Sequence, residues 1–486
     1  MTIHTANYTV EWKPSASWVD ITAWVLSVEG DFQTTGASGN GIAFGDSSTA
    51  QFSVTLDPLR SGTLSLATWE LVPIRVTFTV DAATARNGAG VVVGFDQDMD
   101  TATLKAEGYQ KLIAATRVYS ALFLRRPAAT KTSASSIEDP TDGSYAAGAI
   151  NYALWQAGGR PYEQAGSYSS AAFYYSLQQA LIAPDYSWLA GENAWEACLT
   201  LCRAAGGQLY QRPDGVIAYV APLSIAAGSS VFTLTSSAYA RVTRSGTVGS
   251  LMASVECPYQ GRYLTSVQEI ISDTTARVVA AGKTATIELE PRYPIYQLET
   301  LNGGGTQLVA DAITATNYDG SVATFTHTLT IAAQRVTIVV SNTSAQPFVI
   351  EKITIRARAV APGEAGVVSA GSGAPTLTIE ANDFIQSRAH AQRLTRMALD
   401  FFAQARPIIK VEGLLHNPAL QIGDIGALTV TPWGMTSTSV VILGLGHSQT
   451  GAEMALDVID ITGLPTIADY WIVSASGQSG TKKVGY

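Results

Sequence analysis

Between Asn382 and Ile461 the spacing of the apolar residues changes once, and that change limits what the chain can build. In NDFIQSRAHAQRLTRMALDFFAQAR, residues Phe384, Ala391, Leu394, Ala398, Phe401 and Ala405 recur at three- and four-residue steps and fall on one stripe. Arg388, Gln392, Arg393 and Arg396 lie largely elsewhere, so this is an amphipathic helix resting against something. Asn382 or Asp383 can serve as its N-cap, because a short side-chain oxygen there accepts a backbone N–H that the first turn leaves unpaired. Pro407 ends it. Beyond the proline, Ile409, Val411 and Gly413 alternate with Lys410 and Glu412, the two-residue period of a strand.

Strand-like alternation dominates elsewhere. Residues 1–108 read as β, with YTVEW, WVDITAWVLSVEG, AQFSVTLD, IRVTFTV and GVVVGF separated by turn-forming clusters. The Gly/Ser/Thr-rich stretch from Gly30 to Ser48 has no period and reads as a mobile loop, ordered only against a neighbour. From Tyr109 to about Val220 the pattern is mixed. AAGAINYALWQAGG reads as a short helix closed by Gly158, and NAWEACLTLCRAAGGQLYQRPDGVIAYV as a helix packed on a hairpin. In the latter, Asn193 and Glu196 form a capping-box pattern, Gly206 and Gly207 stop the helix, and Pro213-Asp214-Gly215 turns one strand onto the next. Residues 226–380 are again rich in strands, with glycine loops at 303–305 and 363–373.

A chain of 486 residues is too long for one core, and roughly 100–200 residues per domain gives about three or four domains. Charged residues make up only 14%, against about 25% in an average soluble domain, which suggests a surface partly covered by partner subunits. A net charge of −9 argues against general duplex-DNA binding, although a DNA-lined channel can still be acidic. Three cysteines are too few for a disulfide framework, and MTIHTANYTVEW lacks the regions of a signal peptide, so the chain is expected to be made in the cytoplasm. No run approaches the roughly 18–20 apolar residues of a membrane helix, so no membrane anchor is expected.

Motifs for chemistry are weak. Asp96, Asp98, Asp100 and Glu107 imitate a calcium loop, but Thr101 stands where that loop needs glycine, and an acidic hairpin turn is the better reading. Gly282-Lys283-Thr284 resembles the end of a phosphate loop, yet Arg277 replaces its first glycine and a strand follows. Cys198 and Cys202 share a helix face with Trp195 and Leu199, and core cysteines are expected rather than metal ligands. His4, His327, His390, His416 and His447 form no short-range motif, so no metal, cofactor or catalytic residue is assigned. Residues 145–195 are dense in aromatics, which either fill the core of a small domain or present a sugar-stacking or interface surface. Tyr152, Trp155, Tyr168, Tyr174, Tyr175 and Trp188 are the candidates for that surface.

Taken in order, four stretches resemble the tail-tip or baseplate hub proteins (minor tail proteins) of long-tailed bacteriophages. They are WVDITAWVLSVEG with AQFSVTLDP, the helix–hairpin around Cys198, the strand pair VTIVVSNTSAQPFVIEKITIRARAV, and LLHNPALQIGDIGALTV with VVILGLGHSQTGAEMALDVI. The resemblance implies a mainly β, multidomain hub fold with α/β insertions, in which two tube-like β-barrel domains per subunit build a pseudo-six-fold ring from a homotrimer. It implies a structural, non-enzymatic role at the tail tip of the virion. The expected partners are a distal tail or tube ring on one side, a fibre, spike or peptidase protein on the other, and DNA or a tape-measure protein in the channel. The domain division expected is 1–108 for the first barrel, 109–225 for a peripheral α/β domain, 226–380 for β-rich parts that partly complete the barrels, 381–465 for the second barrel and 466–486 for a C-terminal tail. On this reading the stripe of Leu394, Ala398 and Phe401 seals a barrel from outside, and Asp424 is a turn residue between barrel strands. A carbohydrate-binding tip protein involved in host recognition is the alternative.

Overall fold

The structure is a computed structural model, and it describes residues 6–14, 17–33, 49–57, 69–81, 83–124, 146–162, 171–177, 184–220, 229–245, 251–299, 308, 312–404, 406–447, 453–464, 470–471 and 483–484. The chain is mainly β and divides into several packed units.

Seven strands open the chain: β1 (Ala6–Trp12), β2 (Val19–Asp20), β3 (Val25–Gln33), β4 (Thr49–Leu56), β5 (Pro73–Val80), β6 (Ala83–Gln97) and β7 (Ala102–Glu107). In β5 every second residue is buried, and Ile74, Val76 and Phe78 meet Val10, Val54, Phe52 and Leu104 in one core. The strands neighbour one another in the order β2-β1-β5-β6-β7-β4-β3, all antiparallel.

The sheet does not stop at β3. Gly30 to Gln33 pair with Gly444 to His447, at the end of the long Met435–His447 strand. That strand pairs in turn with Glu453–Asp460, then Ile408–Leu415, then Arg241–Ser245, while its first half carries Ile425–Val430 and, parallel to that, Ser230–Leu234. One 13-stranded sheet therefore joins the beginning and the end of the chain. The loop expected from Gly30 to Ser48 is corrected at its start: Gly30 to Gln33 are strand, because β4 and Met435–His447 satisfy their backbone from both sides. Residues 34–48 lie outside the described residues.

The C-terminal part of the sheet buries both faces. Val411, Leu428, Val440, Ile442, Leu456 and Val458 fill a core on one side. Ile425, Val441, Leu443 and Ile459 face the other, where Ala398, Phe401 and Phe402 cover them. A bulge between Ile442 and Gly444 keeps Leu445 in the first core.

Four helices are described: α1 (Gln110–Ala114), α2 (Ala146–Gln156), α3 (Ala194–Ala205) and α4 (Arg388–Phe402). The stripe on α4 is shared between two cores. Ala391, Leu394 and Met397 pack with α3 and its neighbours, while Ala398, Phe401 and Phe402 lie on the sheet, so Leu394 belongs to the α/β unit. The cap of α4 is Ser387, not Asn382 or Asp383. Ser387 has extended backbone and its Oγ accepts the His390 N–H at 3.1 Å. Asn382 is engaged otherwise: its Oδ1 accepts the Phe384 N–H and its Nδ2 donates to the Thr200 carbonyl. Phe384 and Ile385 are thereby buried in the α/β core before the helix begins.

Helix α3 forms as its sequence directs. Asn193 Oδ1 accepts the Glu196 N–H at 2.8 Å, and Gly206 closes the last turn at φ 67°. Gln208–Gln211 and Val216–Val220 then form the hairpin, with Gly215 at φ 88° in its turn. Leu209, Ile217 and Tyr219 of the hairpin face α3, while Tyr210 and Ala218 enter the core of the N-terminal strands. The hairpin is thus wedged between two cores, and Gln211 ties it to β6 and α1 by donating to the Ala89 carbonyl and accepting the Tyr109 N–H.

Residues from Gln268 to Ala361 enclose a further core, with Ile338, Phe348, Ile353 and Ile355 fully buried between two sheets. The 24-residue strand Phe348–Gly371 serves both this unit and, through Ser254–Leu264, the α/β unit.

Candidate functional site

A cleft of about 700 Å³ opens where three parts of the chain meet. Arg75 and Arg86 come from β5 and β6, Trp18 from the connection just before β2, Tyr162 and Tyr174 from the α/β unit, and Arg212 with Asp214 from the hairpin turn. Ala419 and Gln421 close it from the turn before Ile425–Val430.

Each charged side chain is set by its local structure. Glu11 and Arg75 stand opposite each other on β1 and β5, and the guanidinium grips the carboxylate at 2.6 and 2.9 Å. The same guanidinium lies 4.1 Å from the centre of the Trp18 ring. Arg212 pairs with Asp214 two residues on, and Asp214 also accepts the Val216 N–H, which fixes the turn. Arg86 differs in having no carboxylate partner among the described residues; its Nε, like that of Arg212, is buried without an acceptor. Tyr109, on the cleft wall, is buried, which pushes its phenol up to about 12 although Arg86 and Arg75 pull it down, so it presents a neutral hydroxyl.

Of the five aromatic candidates among the described residues, the structure brings only Tyr174 into this cleft. Tyr175 and Trp188 are core residues, 2% and 5% exposed, with the Tyr175 hydroxyl on Asn151 and Trp188 edge-on to Phe384 at 5.0 Å. Tyr152 is half-buried against Phe123, and Trp155 lies under the Arg160 guanidinium at 4.0 Å. Tyr168 lies outside the described residues. Trp18, Arg75, Arg86 and Arg212 escape a sequence reading because four separate segments bring them together; only the turn at Pro213-Asp214-Gly215 is marked locally.

A second cluster sits at the seam of the large sheet. His416 and His447 stack with ring centres 5.6 Å apart and planes 10° from parallel, and Phe78 meets both edge-on at 4.8 and 4.9 Å. Buried Asn87 lies with its Nδ2 3.2 Å from His416 Nε2. Burial, with the neighbouring His416 second, pulls His447 down to about 3. The neutral His447 imidazole, stacked on His416, therefore lies between strands from the two ends of the chain.

The remaining motifs resolve as structure. Asp98 Oδ1 accepts the N–H groups of Asp100 and Thr101 in the β6–β7 turn, which holds its carboxyl below the ordinary range. Gly282 is a turn residue at φ 65° leading into the strand Thr284–Leu289. Asp424 accepts the Gln421 N–H in the turn before its strand, and burial raises its carboxyl. Cys198, Cys202 and Cys257 are buried as free thiols in one core, and burial raises all three. Among the described residues no three His, Cys, Asp or Glu side chains are grouped to hold a metal ion. No described helix is long and apolar enough to cross a membrane.

No protein-family model matches the sequence, and no curated protein matches it. Among solved structures, the 43 kDa tail protein of prophage MuSo2 from Shewanella oneidensis is similar at a TM-score of 0.46 and 8% identity, over 94% of this chain and 98% of that one. A tail protein from Neisseria meningitidis MC58 gives 0.46 and 9% over the same shares. A prophage tail protein from Listeria monocytogenes EGD-e gives 0.41 and 8%, over 93% of this chain and 94% of that one.

Proposed function

We propose that the chain is a structural, non-enzymatic hub of a phage tail tip or baseplate. Three copies would form a ring that adapts a six-fold tail tube or distal tail ring to a three-fold tip and helps to form or close the DNA channel. The observation that carries this reading is the 13-stranded sheet, in which residues 6–107 and 408–460 build two cores and pair through one seam. A subunit that contributes two β units to one wall has the form needed to meet a six-fold ring with three copies. The outermost strands, β2 and Arg241–Ser245, each pair with a single strand among the described residues, so the wall can continue into a neighbouring copy. The low content of charged residues supports surfaces that are covered in an assembly. The domain division 1–108, 109–225, 226–380, 381–465 and 466–486 is part of the same proposal, with the distal tail ring and the tip protein as partners in the virion.

Light scattering of the purified chain across micromolar concentrations, with particle imaging, tests it. A trimer and three-fold rings are expected; a monomer throughout, with no ring in images, refutes it. A second reading, carbohydrate binding at the tip, is favoured by the cleft, where Trp18, Tyr162 and Tyr174 offer ring surfaces beside arginines.

A further inference from the structure

We propose that the cleft between the N-terminal strands, the hairpin turn and the α/β unit binds a saccharide carrying a carboxylate or phosphate, with Arg86 as the group that receives the anion. The inference deepens the carbohydrate reading and rests on it; it does not depend on the hub assembly.

Three arginines line the cleft, and two have carboxylates of their own. Arg75 is held by Glu11 through two hydrogen bonds and Arg212 by Asp214. Arg86 has no ion pair or hydrogen bond among the described residues, and its Nε is buried. Arg86 is half-buried, with its Nε withdrawn from water and its outer nitrogens towards the cleft unpaired among the described residues; an oxyanion there would supply the missing acceptor, and the planar fork of the arginine selects carboxylate or phosphate. Asp424 feels the charge of Arg212, but it is hydrogen-bonded to the Gln421 N–H and does not line the cleft.

Size and wall chemistry point to a sugar. A single acidic side chain would leave most of 700 Å³ empty, whereas sites for small ligands span about 300–1,000 Å³. Tyr162 is 47% exposed on the wall and offers a ring face for C–H groups and a hydroxyl for polar ones, while Tyr174 and Trp18, the latter already stacked on Arg75, shape the rest of the wall. Among the described residues the cavity thus combines an arginine that has no carboxylate partner with an exposed amphipathic ring.

Calorimetry on the full chain with five probes tests this: a uronic-acid disaccharide, its neutral counterpart, a hexose phosphate, inorganic phosphate and a glutamate-rich peptide. The acidic saccharide is expected to bind at least tenfold more tightly than the neutral one, and more weakly as salt is raised. Preference for the uronic acid or for the hexose phosphate identifies which oxyanion is the natural one. Arg86→Gln should lower the affinity at least tenfold, Arg86→Lys should recover part of it, and the exposed Tyr162→Ala should lower it severalfold with the melting curve unchanged. Equal binding of neutral and acidic sugars, wild-type affinity in Arg86→Gln, inorganic phosphate binding as tightly as hexose phosphate, or binding of the peptide alone would each overturn it. A monomer that binds the acidic sugar refutes the hub and keeps this proposal, and a trimer that binds none of the probes does the reverse.

Discussion

Acidification should loosen the seam between the two ends of the large sheet, and His447 sets the size of the effect. Its imidazole is held neutral by burial, at about 3 instead of the ordinary 6.5. A histidine whose folded value is depressed contributes stability that is complete above its unfolded value and is lost as pH falls towards the folded one. The window therefore runs from about pH 6.5 down to about pH 3. At pH 5 the unfolded imidazole is largely protonated and the folded one is not, which amounts to about 2 kcal/mol of lost stability. Glu29, Asp31, Lys105 and Glu107 line the cavity that His447 borders, and the ring itself meets His416 and Phe78. Because a chain with several cores has no single unfolding free energy, the measurement must be local. Amide hydrogen exchange in peptides covering Gly30 to Gln33 and Gly444 to His447 should speed up by about 2 kcal/mol in opening free energy between pH 7.5 and 5, after correction for intrinsic rates. His447→Leu, which suits the apolar surroundings, should flatten this dependence. Unchanged protection at pH 5, or a variant as sensitive to pH as the wild type, would refute the reasoning.

Three further outcomes follow from packing and caps. Gly215→Val should lower the opening free energy of the hairpin by about 2 kcal/mol or more, read by amide hydrogen exchange in peptides covering Gln208–Gln211 and Val216–Val220, since φ is 88° there and a Cβ would stand 2.6 Å from the Ala89 Cβ. Ser387→Ala should cost about 1 kcal/mol in the stability of α4, whereas Asp383→Ala should leave its first turn intact, as read by exchange of the His390 amide. Cys198 and Cys202, buried with raised thiol values, should resist a thiol reagent at pH 8 in the native chain and react in denaturant; labelling of the native chain would refute their burial.

Local signals were legible wherever a segment decides its own structure. The cap at Asn193, the stop at Gly206 and the turn at Gly215 follow from side-chain length and permitted φ, and the strands YTVEW, AQFSVTLD, IRVTFTV and GVVVGF from their period, and the structure has them; WVDITAWVLSVEG is instead broken by a 3-10 turn at Thr22–Trp24. The N-cap of α4 was misplaced because Asn382, Asp383 and Ser387 are all competent caps. Tertiary contacts chose among them, by burying Phe384 and Ile385 and engaging Asn382 with Thr200. Of the cleft, only the turn at Pro213-Asp214-Gly215 and the candidate Tyr174 were legible. Aromatic density drew attention to residues 145–195, yet Tyr175 and Trp188 went to the core, and the arginines that give the cavity its charge lie on strands whose sequences look ordinary. Likewise Gly30 to Gln33 look like the start of a loop, because the partner that makes them a strand lies at the other end of the chain.

That pairing also orders events in time. The strands of residues 6–107 can assemble among themselves as they leave the ribosome, but the outer edge of β3 finds its partner only when Gly444 to His447 are made, roughly 400 residues later. At roughly 5–20 residues per second the nascent chain carries that exposed edge for about 20–80 seconds, long enough to meet a second nascent copy.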